Sequence, residues 1–219
     1  MICVPIVESN IEDAVAAAEE ALKLADLVEF RADYFTSLER EDVVRMAEYP
    51  AIITIRAPWE GGRYSGNPRE RIRLYELAIE HNAAYIDVEL KEEMNRHLVS
   101  FRDSVGSKTK IIISYHDFSK TPGYPELSSI VEGELRIGDV GKFATMVNTK
   151  EDILTVLRVT LDFSGRVIGV GMGEKGKITR VLAPYFGSVL TYSSMNGKTS
   201  APGQMDVLTL KRCREVLGL

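Results

Sequence analysis

Residues 51–88 hold the unit whose reading decides the fold. They run Ala51-Ile52-Ile53-Thr54-Ile55-Arg56, then through the amphipathic stretch Pro68–Asn82, then Ala84-Tyr85-Ile86-Asp87-Val88. The two outer runs are short and mostly apolar, without strict alternation. Strands look like this when both faces of a parallel sheet are covered. The middle stretch opens with proline, carries Ile72, Leu74, Tyr75 and Ile79, and stops at asparagine, which are the start, face and stop signals of a helix.

The same alternation extends in both directions. Strands are predicted at Ile2–Val7, Leu27–Phe30, Ala51–Ile55, Ala84–Val88, Lys110–Ser114, Lys142–Met146, Arg166–Val170 and Ser188–Thr191. Helices are predicted at Ile11–Ala25, Pro68–Asn82, Glu92–Phe101, Thr149–Val159 and Gln204–Leu217, with weaker candidates after Asp33, Thr121 and Gly176. Eight β/α units of about 27 residues each leave room for a helical crossover of at least ~10–12 residues. No linker or shift in composition marks a boundary. The pattern therefore favours an α/β chain folded over residues 1–219 as one (β/α)8 TIM barrel, with a doubly wound open sheet as its rival.

Composition narrows the class. Hydrophobic residues make up 45% and charged residues 27%, which excludes a disordered or collagen-like chain. A net charge of −5 does not call for nucleic acid. No stretch approaches the ~20 apolar residues of a membrane span, and the apolar run at Ile2–Val7 is too short for a signal peptide. Cys3 and Cys213 form no paired motif, so a reducing, cytoplasmic setting is expected. His81, His97 and His116 are too dispersed for a zinc site, and the first two read as solvated helix surface. Gly171-Met172-Gly173-Glu174-Lys175-Gly176 matches the dinucleotide fingerprint in letters only. No acidic residue follows about 20 positions on, so it reads as a turn at a barrel rim.

In a (β/α)8 barrel, chemistry gathers at the carboxyl ends of the strands. Lys142 lies inside an apolar strand, where burial disfavours the ammonium and can produce an amine that attacks a carbonyl. The plain alternative is a strand-end lysine reaching water. His116 ends the neighbouring strand and is the histidine placed for acid–base work; a core histidine bonded to backbone is its alternative. Arg31, Arg56 and Arg180 follow three different strands and suit an anionic substrate. Together they would also help depress the pKa of Lys142. Glu29 and Glu60 are candidate partners for those arginines or for substrate hydroxyls, and rim ion pairs are the alternative for each.

Taken in order, Glu29-Phe30-Arg31-x-Asp33, Thr54-x-Arg56, Tyr115-His116-Asp117-Phe118, Lys142, Met172-Gly173 with Arg180, and Ser200-Ala201-Pro202-Gly203-Gln204 closely resemble the type I 3-dehydroquinate dehydratases of the shikimate pathway. The likeness spans nearly the whole chain. It departs at Phe30, where many members carry tryptophan, and in a length shorter than many bacterial relatives. The resemblance implies a barrel that dehydrates 3-dehydroquinate to 3-dehydroshikimate by syn elimination, with no metal and no dissociable cofactor. It implies Lys142 as the Schiff-base lysine, His116 as the acid–base and Glu60 as the carboxylate orienting that histidine. Arg180 would grip the substrate carboxylate, with Glu29, Arg31, Arg56, Ser200 and Gln204 as further substrate contacts. The loop from Ser200 to Gln204 reads as a lid. Family members are commonly homodimers, and this extends to the chain as an expectation. A class I aldolase-like lyase would share the lysine without needing this arginine set and loop. A non-catalytic barrel binding small carboxylates would have little reason to keep both Lys142 and His116.

Overall fold

The barrel interior is built from side chains of alternating parity. A computed structural model describes all 219 residues. The strands are β1 (Ile2–Ile6), β2 (Leu27–Arg31), β3 (Ala51–Thr54), β4 (Tyr85–Glu89), β5 (Lys110–Asp117), β6 (Val140–Met146), β7 (Val167–Met172) and β8 (Thr191–Tyr192). Between and after them come helices α1 (Ile11–Ala21), α2 (Arg40–Ala47), α3 (Pro68–Glu80), α4 (Asn95–Val105), α5 (Tyr124–Leu135), α6 (Lys150–Asp162), α7 (Lys177–Leu182) and α8 (Val207–Val216). Every strand pairs in parallel with its neighbour in sequence from β1 to β7, and β8 returns to pair with β1. The result is a (β/α)8 TIM barrel.

Inside it, Leu27, Tyr85, Val140 and Leu190 from the even-numbered strand positions lie at the bottom, and Cys3, Ile52, Ile112 and Ile168 from the odd strands lie above them. The next even layer is polar and consists of Glu29, Asp87, Lys142 and Tyr192. Four side chains per layer, taken from alternate strands, is the packing expected of a filled barrel. Residues of the opposite parity, among them Val28, Phe30, Ile53, Ile86 and Ile111, face outward and bury against Ala14, Ala18, Val43, Met46, Ile72 and Leu98 of the helices.

The helix ends follow from their caps. Asn10 accepts the Asp13 amide at 2.9 Å, and Thr149 with Asp152 forms a reciprocal capping box. The predicted helix Glu92–Phe101 begins later, at Asn95, and runs on to Val105, where Gly106 takes the left-handed conformation (φ 66°) that stops it. The last helix begins at Val207 and not Gln204, because Asp206 caps it through the Leu208 amide at 3.0 Å. The predicted strand Ser188–Thr191 shifts to Thr191–Tyr192. The Ser188 hydroxyl accepts the Gly169 amide at 3.2 Å, so a side chain replaces a ladder bond at the β7–β8 seam. The seam is bridged again by the Val189 amide on the Val167 carbonyl at 2.9 Å. The G-x-G-x-x-G segment is a turn leading from β7 into α7, with the Gly176 amide on the Gly173 carbonyl at 3.1 Å. No helix is long and apolar enough to cross a membrane.

Candidate active site

Lys142 is buried at the centre of the polar layer. Its Nζ donates to Asp87 Oδ2 at 2.6 Å and Tyr192 OH at 2.9 Å, and lies 3.4 Å from Glu29 Oε1. Glu29 is held in turn by the Thr54 hydroxyl at 2.8 Å. The nearest charges to the lysine are therefore two carboxylates, where the sequence reading placed arginines. The arginines are themselves engaged. Arg31 makes a bidentate pair with Asp33, both bonds 2.8 Å. Arg56 donates to Asp87 Oδ1 at 2.6 Å, Glu89 Oε1 at 3.1 Å and Ser114 Oγ at 2.8 Å. Helix α3 supports this network from below: Arg71 bonds Glu89 Oε2 at 2.9 Å, and the Tyr75 hydroxyl donates to the Asp87 carbonyl at 2.7 Å while accepting the Ile55 amide at 2.9 Å. Buried charges of alternating sign thus run Arg71, Glu89, Arg56, Asp87, Lys142, as buried ions must if they are not to remain uncompensated. Burial would raise the Asp87 carboxyl, but Arg56 and Lys142 beside it hold it far below the ordinary carboxylate range.

His116, on the adjacent strand β5, turns Nδ1 to Glu60 Oε2 at 2.8 Å. Burial, then Arg56 and Lys142, pushes its pKa well below the usual imidazole value, so the ring is neutral at neutral pH. Glu60 ends a short turn, Pro58–Glu60, and burial raises its carboxyl to about 7. Its other oxygen, Oε1, is buried with no partner. The turn depends on Gly61, whose φ of 76° suits glycine and whose missing Cβ leaves room for the Phe118 ring, 2.7 Å from where that carbon would stand. The same ring stacks on His116 at 6.3 Å between centroids. Phe118 therefore packs on His116 and on the glycine that follows Glu60.

Arg180, on α7, differs from the other arginines. No carboxylate reaches it. It donates only to carbonyls, those of Pro202 at 3.2 Å and Tyr192 at 3.5 Å, and its Nε is buried without a partner. Burial lowers it to about 10, so it remains a cation. The loop that supplies Pro202 is tied by a Ser200 amide bond to Gln204 Oε1 at 2.9 Å and a Gln204 Nε2 bond to Ser200 Oγ at 3.1 Å. It rests on the end of β7 at Gly203, where φ is 76° and a Cβ would sit 2.2 Å from the Gly173 carbonyl oxygen.

Glu29, Arg31, Arg56, Glu60, His116, Lys142, Arg180, Ser200 and Gln204, all nine residues singled out from sequence, line one cavity at the carboxyl ends of the strands. His81 and His97 lie on the helical shell, the latter bonded to Glu76. Sequence reasoning missed the roles of Asp87, Glu89, Ser114 and Tyr192. Asp87 and Glu89 carried a legible signal, being two acids at i and i+2 in a strand whose inward face is the barrel. Tyr192 stands one position past the predicted strand and carried none.

The fold and this pocket define a (β/α)8 barrel with a largely charged site at its catalytic face. A family model for Type I 3-dehydroquinase matches residues 2–219. The 3-dehydroquinate dehydratase of Methanocaldococcus jannaschii is 55% identical over 219 residues, covering all of both chains. The crystal structure of 3-dehydroquinate dehydratase from Geobacillus kaustophilus superposes with a TM-score of 0.89 at 30% identity, over 99% of this chain and 90% of that one. The type I 3-dehydroquinate dehydratase of Clostridium difficile, solved with covalently modified comenic acid, gives 0.87 at 30% identity over 99% and 91%. The chain belongs to the type I 3-dehydroquinase family.

Proposed function

We propose that the chain dehydrates 3-dehydroquinate to 3-dehydroshikimate by syn elimination through an imine on Lys142. One observation carries this: the buried Lys142 amine and the His116–Glu60 pair open into the same cavity as Arg180, a buried cation with no carboxylate of its own. The reaction removes a proton α to a ketone and expels a β-hydroxyl. Converting the ketone to an iminium supplies the electron sink that makes that proton acidic. His116 takes it at Nε2, the nitrogen not bonded to Glu60, and returns a proton to the departing hydroxyl. Arg180 fixes the carboxylate and so orients the ring. Glu29, Arg31, Arg56, Ser200 and Gln204 supply the remaining contacts.

The test is borohydride reduction in the presence of 3-dehydroquinate, followed by intact mass and peptide mapping. A substrate-derived adduct on Lys142 is expected. Turnover without any adduct would overturn the covalent route, and neither adduct nor turnover would overturn the substrate assignment. We place the enzyme in the cytoplasm, since Cys3 and Cys213 are both free, and as a homodimer, following the family's habit. All nine residues come from one chain, so a monomer isolated by dilution should keep its activity.

Two further outcomes follow from the site. Below about pH 7 the Glu60 carboxyl is protonated and donates its O–H to His116 Nδ1. The ring then carries its own proton on Nε2, the wrong tautomer for a base. The activity kcat/KM should therefore rise with pH and level off above about 7, and the apparent pKa belongs to the pair. Glu60→Gln keeps an acceptor for Nδ1–H but cannot titrate, and should shift this limb to lower pH. Arg180→Ala should weaken substrate binding by about 10²-fold, the scale of a lost charge-assisted pair. Arg180→Lys should recover little, because an ammonium lacks the planar fork. Calorimetric titration of both variants checks this.

A further inference from the structure

The ends of β3 and β4 part at the catalytic face. The apolar run that forms β3 continues through Ile55, yet the strand stops at Thr54. Thr54 stands opposite Asp87, so the next ladder bond of the parallel pair would join the Ile55 amide to the Asp87 carbonyl. No backbone bond joins them. The hydroxyl of Tyr75, on α3, stands between the two, accepting from the amide at 2.9 Å and donating to the carbonyl at 2.7 Å. The Ile55 carbonyl leaves the ladder too, and accepts from Arg71 Nη1 at 2.9 Å. Tyr75 and Arg71 lie four residues apart on one face of α3, and both are buried. Two hydrogen bonds in series thus stand where one would, and they hold the strand ends apart.

We infer that Tyr75 and Arg71 are positioning residues for Arg56, setting the path on which β3 leaves the barrel so that this guanidinium reaches its place in the cavity. The inference rests on the reading above that Arg56 contacts the substrate. Arg56 follows Ile55 directly, so its Cα moves with the Ile55 peptide. The backbone just beyond is fixed as closely. The Ala57 amide donates to Glu89 Oε1 at 2.9 Å, and a Cβ at Gly62 would fall 2.0 Å from the Arg56 carbonyl oxygen. From that exit Arg56 spans two strands, bonding Asp87 and Glu89 of β4 and Ser114 of β5. A direct bond from Ile55 to Asp87 would satisfy both groups without a tyrosine, so satisfaction alone does not account for the wedge. Departures from the ladder beside an active site re-aim a side chain, as a β-bulge does. Removing the hydroxyl leaves a buried donor facing a buried acceptor, and the two gain by closing into the missing ladder bond. That closure draws β3 toward β4 and moves Arg56, and a shift of about 1 Å at a substrate contact is costly.

The experiment is a double-mutant cycle on the turnover of 3-dehydroquinate, with Tyr75→Phe, Arg56→Lys and the two together. Tyr75→Phe is expected to raise KM about 10-fold, and the Kd for 3-dehydroshikimate by calorimetry equally, while kcat moves less than about 3-fold. In the Arg56→Lys background the same change should cost less than about 2-fold, because no guanidinium is left to misplace. A merely structural tyrosine would lower the active fraction, which reduces kcat at constant KM and equally in both backgrounds; that result overturns the inference and leaves Arg56 in the site. Wild-type KM and kcat in Tyr75→Phe overturn it as well. Wild-type kinetics in Arg56→Lys would overturn the reading of Arg56 as a substrate contact, and the positioning role falls with it. Thermal melts check that each variant is folded at the assay temperature. If Tyr75→Phe is not, Arg71→Lys takes its place in the cycle with the same non-additivity expected. Its ammonium lacks the planar fork that spans the Ile55 carbonyl, Glu89 and Glu92.

Discussion

Replacing Lys142 with alanine is expected to leave a folded barrel that binds substrate, cannot be trapped by borohydride, and turns over at least about 10⁴-fold more slowly. The size of the loss follows from the chemistry. Without an iminium, His116 would have to remove a proton beside a plain ketone, and nothing else in the cavity offers an electron sink. The binding should survive because Arg180 and the lid residues Ser200 and Gln204 lie on α7 and the strand-eight loop, away from β6. Stability should fall, because Glu29 loses the one cation it is paired with and keeps only the Thr54 hydroxyl. Asp87 loses one of its three partners but keeps Arg56 and Ser114, so its charge remains compensated. Removing a buried cation also removes its own desolvation cost. Calorimetric binding of substrate, intact-mass trapping and a thermal melt separate these expectations. Wild-type turnover in the variant would take the lysine out of the mechanism.

Much of this site was legible because a parallel barrel strand is short and apolar until it ends. Polar residues that break the run, such as Arg31, Arg56, His116 and Lys142, stand out, and the topology carries them all to one face. Pairing was not legible. Arg56 could be placed on the rim from its position after β3, but its partners Asp87, Glu89 and Ser114 come from β4 and β5. The parallel register of β3, β4 and β5 brings them together. The idea that arginines dominate the surroundings of Lys142 failed because both near ones are neutralised: Arg56 by acids of another strand that sequence adjacency could not assign to it, and Arg31 by Asp33 two residues on. Tyr192 was hidden by a local event, the Ser188 side chain standing in for a ladder bond and displacing the strand by several residues. The start of the last helix slipped because a cap outside the hydrophobic pattern, Asp206, decided it.

The lysine and histidine variants should also fail in different ways, and that difference is the sharper test of the site. His116→Ala is expected to lower kcat by about 10³-fold, within the range for loss of a general acid–base, with KM changed far less. The imine should still form, because Lys142 keeps its partners Asp87 and Tyr192 on the even-strand layer, apart from the His116–Glu60 pair. The variant should therefore accumulate an adduct that borohydride traps with the mass of unreacted substrate, where Lys142→Ala traps nothing. The pH limb near 7 should vanish as well, since Glu60 would have no tautomer left to set. Glu60 itself becomes more isolated: Oε1 is already without a partner, and Oε2 would lose its only one. Without that donor it should take up a proton at neutral pH, limiting the stability cost to about 1–3 kcal/mol, the scale of one unsatisfied buried group. Single-turnover trapping with mass detection, beside steady-state kinetics from pH 5 to 9, reads all of this. If the histidine variant trapped no adduct, His116 would belong to imine formation too, and the division of labour between the two layers of the barrel would be wrong.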